Sequence, residues 1–158
     1  MNDAVKPIPD NYRRVNTCLI VTGVAKALAF YTEAFGAAER SRFPGPGGMI
    51  PHAELEIGDS VLMVEEASEL IGKQAPPPGG FPGSPEYHLL YVEDPDATID
   101  RAVELGATLK RPAADQFYGD RDGFIVDPFG HGWVIAAHRE DVPAAELARR
   151  ISAMFGQR

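Results

Sequence analysis

The chain has 158 residues, a formal net charge of −8 and a sequence pI near 4.9. With 44% hydrophobic residues it can build a core, and its acidic balance argues against nucleic acid or an anionic membrane surface as partner. A single cysteine, Cys18, rules out an internal disulfide framework, and no apolar run is long enough to cross a bilayer. Met1 to Arg14 lacks the apolar core and cleavage pattern of a signal peptide, so a cytoplasmic protein is expected.

Residues 1–13 are polar, carry Pro7 and Pro9, and read as a flexible or loosely docked arm. Val15 to Val21 is a compact apolar run with β-branched residues and predicts a strand. In Val24 to Phe35 the apolar residues Val24, Leu28, Tyr31 and Phe35 share one helical face, and Gly36 supplies the stop. Ala37 to Phe43 predicts a short strand, and Pro44 to Gly48 a loop. Met49 to Ile57 and Ser60 to Glu66 predict a hairpin about Gly58-Asp59. Gly72 to Pro85 is rich in Pro and Gly and reads as a linker or mobile loop.

The second half runs through the same order. Glu86 to Val92 predicts a strand. Pro95 to Leu105 predicts a helix with Asp94 as N-cap and Gly106 after its end. Thr108 onward is extended, Phe124 to Val126 is apolar, and Asp127-Pro128-Phe129-Gly130 is a turn before a last strand at Trp133 to Ala137. Val142 to Phe155 predicts an added helix through Leu147, Ile151 and Phe155.

Three landmarks recur in register. The pairs Gly36-Ala37 and Gly106-Ala107 begin 15 and 14 residues after Val21 and Val92, and Gly58 and Gly130 lie 37 and 38 residues after those valines. The predicted class is therefore α+β, from two βαβββ modules at 14–71 and 86–140, with a linker at 72–85 and a C-terminal helix at 141–158.

His52, Glu54 and Glu56 fall on one face of their strand and Ala53, Leu55 and Ile57 on the other. A solvated polar face is the plain reading; the sharper one makes His52 and Glu54 a catalytic pair that exchanges protons with a ligand. Arg121 can grip an anionic or carbonyl oxygen, or it can hold its loop through Asp122. Phe117 and Trp133 can stack on a planar ligand or fill the core, and Tyr118 before Gly119 is a further ligand-binding candidate. His138 shares a face with Val134 and is a ligand-binding candidate; His88 and His131 read as structural. Cys18 reads as buried and inert. Neither a phosphate-cradling Gly-rich loop nor a Gly-x-Ser-x-Gly elbow is present.

The segment Leu28-Ala29-Phe30-Tyr31 through Phe35-Gly36-Ala37 resembles the first helix of the vicinal oxygen chelate (glyoxalase/bleomycin-resistance/extradiol dioxygenase) superfamily. Tyr118 to Gly123 followed by Asp127 to Trp133 is similar to the end of its second module. Together with His52 to Leu55 and Gly58 to Ser60, these stretches most resemble the PhnB-like, glyoxalase-like branch. The resemblance covers roughly residues 15–140. It implies helices outside a cupped, half-barrel mixed sheet that holds a small molecule, and a homodimer.

In metal-dependent members, His, Gln or Glu occupy inward positions of the first and last strand of each module. By register those positions are Asn16, Leu62, Tyr87 and Val134, and shifting by one residue gives at most one good ligand. Asn16 and Tyr87 then become ligand-binding candidates. The expectation is a binding protein or a metal-independent lyase or isomerase, with no cofactor. Two alternatives stand: a divalent-metal lyase or dioxygenase with its ligands drawn from among His52, Glu54, His88 and His138, and a structural homodimer whose cup is filled by its own side chains.

Overall fold

The computed structural model describes residues 6–156, which leaves the first part of the expected N-terminal arm, residues 1–5, and the end of the expected C-terminal segment, residues 157–158, outside the described residues. The chain divides into two compact units, Met1–Pro76 and Pro77–Arg158. Each has a four-stranded mixed sheet and a helix packed on one of its faces, as the α+β expectation required. Neither sheet closes into a barrel.

The first unit runs β1 (Thr17–Val21), α1 (Val24–Phe35), β2 (Ala38–Phe43), β3 (His52–Ile57) and β4 (Ser60–Glu66), in the sheet order β1-β4-β3-β2. β1 lies parallel to β4, and the other pairs are antiparallel. Side chains alternate across the pleat, so Leu19, Val21, Ala53, Leu55, Leu62 and Val64 form the buried face. α1 covers it with Val24, Ala27, Leu28, Tyr31 and Phe35. Glu66 lies on the same face and accepts the Gly23 and Val24 amides at 2.8 and 3.0 Å, anchoring the helix start. Gly36, at φ 68°, turns the chain so that the Gly36 and Ala37 amides donate back to Thr32 and Tyr31.

β1 begins two residues later than predicted. The Asn16 side chain accepts the Arg13 amide at 3.2 Å and donates to the Arg13 carbonyl at 2.7 Å. That local turn competes with extension and leaves Val15 88% exposed. β3 likewise starts at His52, because Pro51 has no N–H for the ladder and Pro46–Gly48 forms a 3-10 turn.

The second unit runs β5 (His88–Tyr91), α2 (Pro95–Glu104), β6 (Thr108–Asp115), β7 (Asp120–Val126), β8 (Gly132–His138) and α3 (Ala144–Phe155), with sheet order β5-β8-β7-β6. Asp94 caps α2 by accepting the Ala97 amide at 3.0 Å. Trp133, Ile135 and Ile125 fill the face under α2 with Ile99 and Ala102. Pro143 is the last residue before α3, which starts two residues later than predicted. Arg150 ties α3 down through Glu140 and the Phe117 carbonyl.

Candidate functional site

On each sheet the face away from its helix carries buried carboxylates among polar and apolar side chains. In the first unit that open face carries Cys18 and Ile20 from β1, with Asn16 just before the strand, His52, Glu54 and Glu56 from β3, and Met63 and Glu65 from β4. The hairpin register sets His52 opposite Glu65. His52 Nδ1 lies 3.2 Å from Glu65 Oε1, and its Nε2 lies 3.6 Å from Glu54 Oε1.

Glu54 is only 6% exposed. A buried carboxylate is costly unless paired, and three groups satisfy it. The Tyr12 hydroxyl donates to Oε1 at 2.7 Å, the Arg40 guanidinium lies 3.6 Å from Oε2, and His52 approaches Oε1. Arg40 also stacks 4.8 Å over the Tyr12 ring. A β-bulge between Glu39 and Ser41 aims it there. Lys73 forms an ion pair with Glu65, so two cations balance the two carboxylates. The hydrogen bond from the Tyr12 hydroxyl to Glu54 raises the phenol above its ordinary pKa, because ionisation would set a second negative charge against the carboxylate. The arrangement can hold a proton between Tyr12 and Glu54, with the His52 ring 3.6 Å from the same carboxylate oxygen. A hollow of about 430 Å³ adjoins it, with Ile8, Pro9, Tyr12, Arg14, Asn16 and Met63 in its lining.

The second unit repeats the device. Asp122, 1% exposed, accepts from the Tyr118 hydroxyl and pairs with Arg111, which also donates to the Asp122 carbonyl at 3.0 Å. Arg111 too stands beside register shifts in the second strand of its module. Next to it, Asp120 accepts from Tyr91 at 2.8 Å and meets His138 Nδ1 at 2.7 Å, while His138 Nε2 lies 2.9 Å from Asp141. These two carboxylates raise the His138 pKa. Burial and the bond to Asp122 push the Tyr118 phenol well above its usual range.

The remaining candidates divide between the two faces of their sheets. Trp133 is buried on the α2 side of its sheet and donates its indole N–H to Asp127 at 2.9 Å, so it fills the core rather than offering a face to a ligand. Arg121 shares that side. Its guanidinium is held by Asp96 at 2.7 and 2.8 Å and by Asp115 at 3.2 Å, which leaves it a clamp on α2 and not a gripping arm. Its partners are these two aspartates; Asp122 takes Arg111 instead. His88 packs 4.8 Å from Trp133 on the same side, and burial lowers its pKa. Tyr87 shares the open-face alternation of Leu89 and Tyr91, and its ring lies edge-on to Phe124. Phe117 packs edge-on to Tyr118. Cys18 is exposed rather than buried, and partial desolvation raises its thiol pKa.

Of the four register positions, Asn16, Tyr87 and Val134 belong to open faces, but Leu62 is buried against α1 and Met63 takes the open place. An amide tied to the Arg13 backbone, a thioether, a phenol and an isopropyl group do not fit a divalent ion that selects His, Gln or Glu. Among the described residues, no three His, Cys, Asp or Glu side chains are gathered to hold a metal ion. No helix among them is long and apolar enough to cross a membrane.

Tyr12, Arg40, Glu65 and Lys73 were not foreseen. Glu65 was within reach of hairpin counting, since a two-residue turn at Gly58-Asp59 fixes its pairing with His52. Tyr12 carried no signal, because it sits in the polar arm outside any periodic pattern.

The family model of the Glyoxalase/Bleomycin resistance protein/Dioxygenase superfamily matches residues 13–135. An uncharacterised protein of Mycobacterium bovis is 37% identical over 135 residues, covering 85% of this chain and 89% of that protein. The anthracycline biosynthesis protein DnrV of Streptomyces peucetius is 33% identical over 130 residues, which is 80% of this chain and 42% of DnrV. The crystal structure of a glyoxalase-related enzyme from Fulvimarina pelagi matches with a TM-score of 0.62 at 26% identity, covering 80% of this chain and 88% of that one.

Proposed function

Because the chain belongs to the Glyoxalase/Bleomycin resistance protein/Dioxygenase superfamily, we propose that it binds a small organic molecule on the open face of its first sheet and does so without a metal. Within the superfamily the reading places it in the PhnB-like, glyoxalase-like branch, as a cytoplasmic homodimer. The observation that carries the proposal is the buried Glu54, held by Tyr12, Arg40 and His52 beside a hollow of ligand size. Such a carboxylate exceeds what a solvated strand face needs. The similarity to a protein of anthracycline biosynthesis supports an organic ligand. The donor set at the inward strand positions supports metal independence.

The network serves sequestration or acid–base chemistry. In the second case Glu54 takes a proton from the ligand directly or through Tyr12, and His52 exchanges it with solvent. Native mass spectrometry of the purified protein identifies what co-purifies. The double variant His52→Ala, Glu54→Gln is expected to weaken binding of that molecule at least about tenfold; unchanged affinity sinks the assignment. Lost turnover with retained affinity in Glu54→Gln alone identifies an enzyme. Metal analysis of protein purified without chelator is expected to find far less than one divalent ion per chain, and a stoichiometric ion overturns the metal-free reading.

A further inference from the structure

We infer that the hollow beside Tyr12 is a site for a small amphipathic organic carboxylate, with its head on Arg14 and its apolar body on Ile8, Pro9 and Met63. The inference rests on the reading above and narrows its ligand class. The chain carries a net charge of −8, yet among the described residues no acidic side chain lines this hollow, whereas Arg13 and Arg14 both do. Arg13 is committed in part, since its guanidinium lies 3.4 Å from the Asp59 carboxylate. Arg14 makes no hydrogen bond or ion pair with any described residue, so its planar fork is free to take a carboxylate in two parallel bonds.

The remaining polar groups sharpen the selection. The Asn16 amide is already spent on the Arg13 backbone. The Tyr12 proton points at Glu54, so the phenol oxygen turns only lone pairs to the hollow and offers an anion nothing. A carboxylate head therefore has one uncommitted cationic partner among the described residues, Arg14, with Arg13 drawn toward Asp59, and a cationic ligand meets repulsion from both arginines. The rest of the lining is proline, isoleucine, methionine and a tyrosine ring, which suits an apolar or aromatic body. A volume of about 430 Å³ fits a molecule of one or two rings.

The test uses two isosteric probes, 2-naphthoate and 2-naphthamide, titrated calorimetrically into the full chain and into Arg14→Gln and Arg14→Lys. Arg14 is exposed, and both variants are expected to melt as the wild type does. Wild type is expected to bind naphthoate about tenfold more tightly than the amide, with the difference shrinking as salt rises. Arg14→Gln brings naphthoate down to the amide's affinity, and Arg14→Lys keeps part of the preference. Equal affinity for the two probes, or an undiminished preference in Arg14→Gln, overturns the anion assignment and leaves the small-molecule reading standing. Binding of neither probe at millimolar concentration overturns the hollow as a site; the small-molecule reading is then decided by the His52 and Glu54 variants.

Discussion

His138 shows how one residue reports on its surroundings. Both ring nitrogens face carboxylates, Asp120 and Asp141, and the bond to Asp120 contributes most to its raised pKa. A histidine whose folded pKa exceeds its unfolded value of about 6.5 stabilises the fold fully below that value. The contribution fades as pH rises through the folded pKa. The difference in melting temperature between wild type and His138→Gln is thus expected to be largest near pH about 5.5 and to shrink above neutrality. An NMR titration gives the second check: the His138 midpoint should lie above that of a model histidine.

At the scale of elements, Gly123 links the strands of the second unit to α2. A methyl group there meets Ile99 Cδ1 at 2.5 Å and the backbone of Ala113 and Arg111 at 2.9 Å. The backbone contacts arise because β6 bulges opposite this point, where Pro112 cannot donate to the ladder. Gly123→Ala is expected to cost about 1–3 kcal/mol of stability through overpacking, read as a lower denaturation midpoint. This bulge also carries Arg111, so the same variant should loosen the Asp122 pair. The bulge was not legible in the sequence, where Thr108 onward shows only an extended pattern. The helices were legible, because Gly36, Asp94 and Gly106 punctuate clear apolar periodicities. The hairpin of β3 and β4 was legible too, and with it the face of His52 and Glu54. Trp133 and Arg121 stayed open between core or loop roles and ligand contact because a sequence does not say which side of a strand the helix will cover, and one residue of parity decides it.

Taken whole, the molecule carries one chemical unit twice: a buried carboxylate, a tyrosine hydroxyl and an arginine from a bulged second strand. Glu54, Tyr12 and Arg40 make the first copy, and Asp122, Tyr118 and Arg111 the second. The repeat was visible in glycine spacing, but this duplicated network was not, since Tyr12 and Tyr118 do not sit at matching places in their modules. The copies are expected to respond differently to the same deletion. Tyr118→Phe takes a donor from an almost fully buried aspartate and should cost about 1–3 kcal/mol in urea unfolding. Tyr12→Phe should in addition weaken ligand affinity, because Tyr12 lines the hollow and Tyr118 does not. The lone thiol of the chain gives these experiments an address. Cys18 is exposed and pairs in register with Met63, a wall of that hollow. A maleimide dye placed there at mildly alkaline pH, as its raised pKa requires, attaches at one atom per chain. Its emission then becomes an optical gauge of occupancy, readable on an unmutated protein and in mixtures where the ligand has not yet been purified.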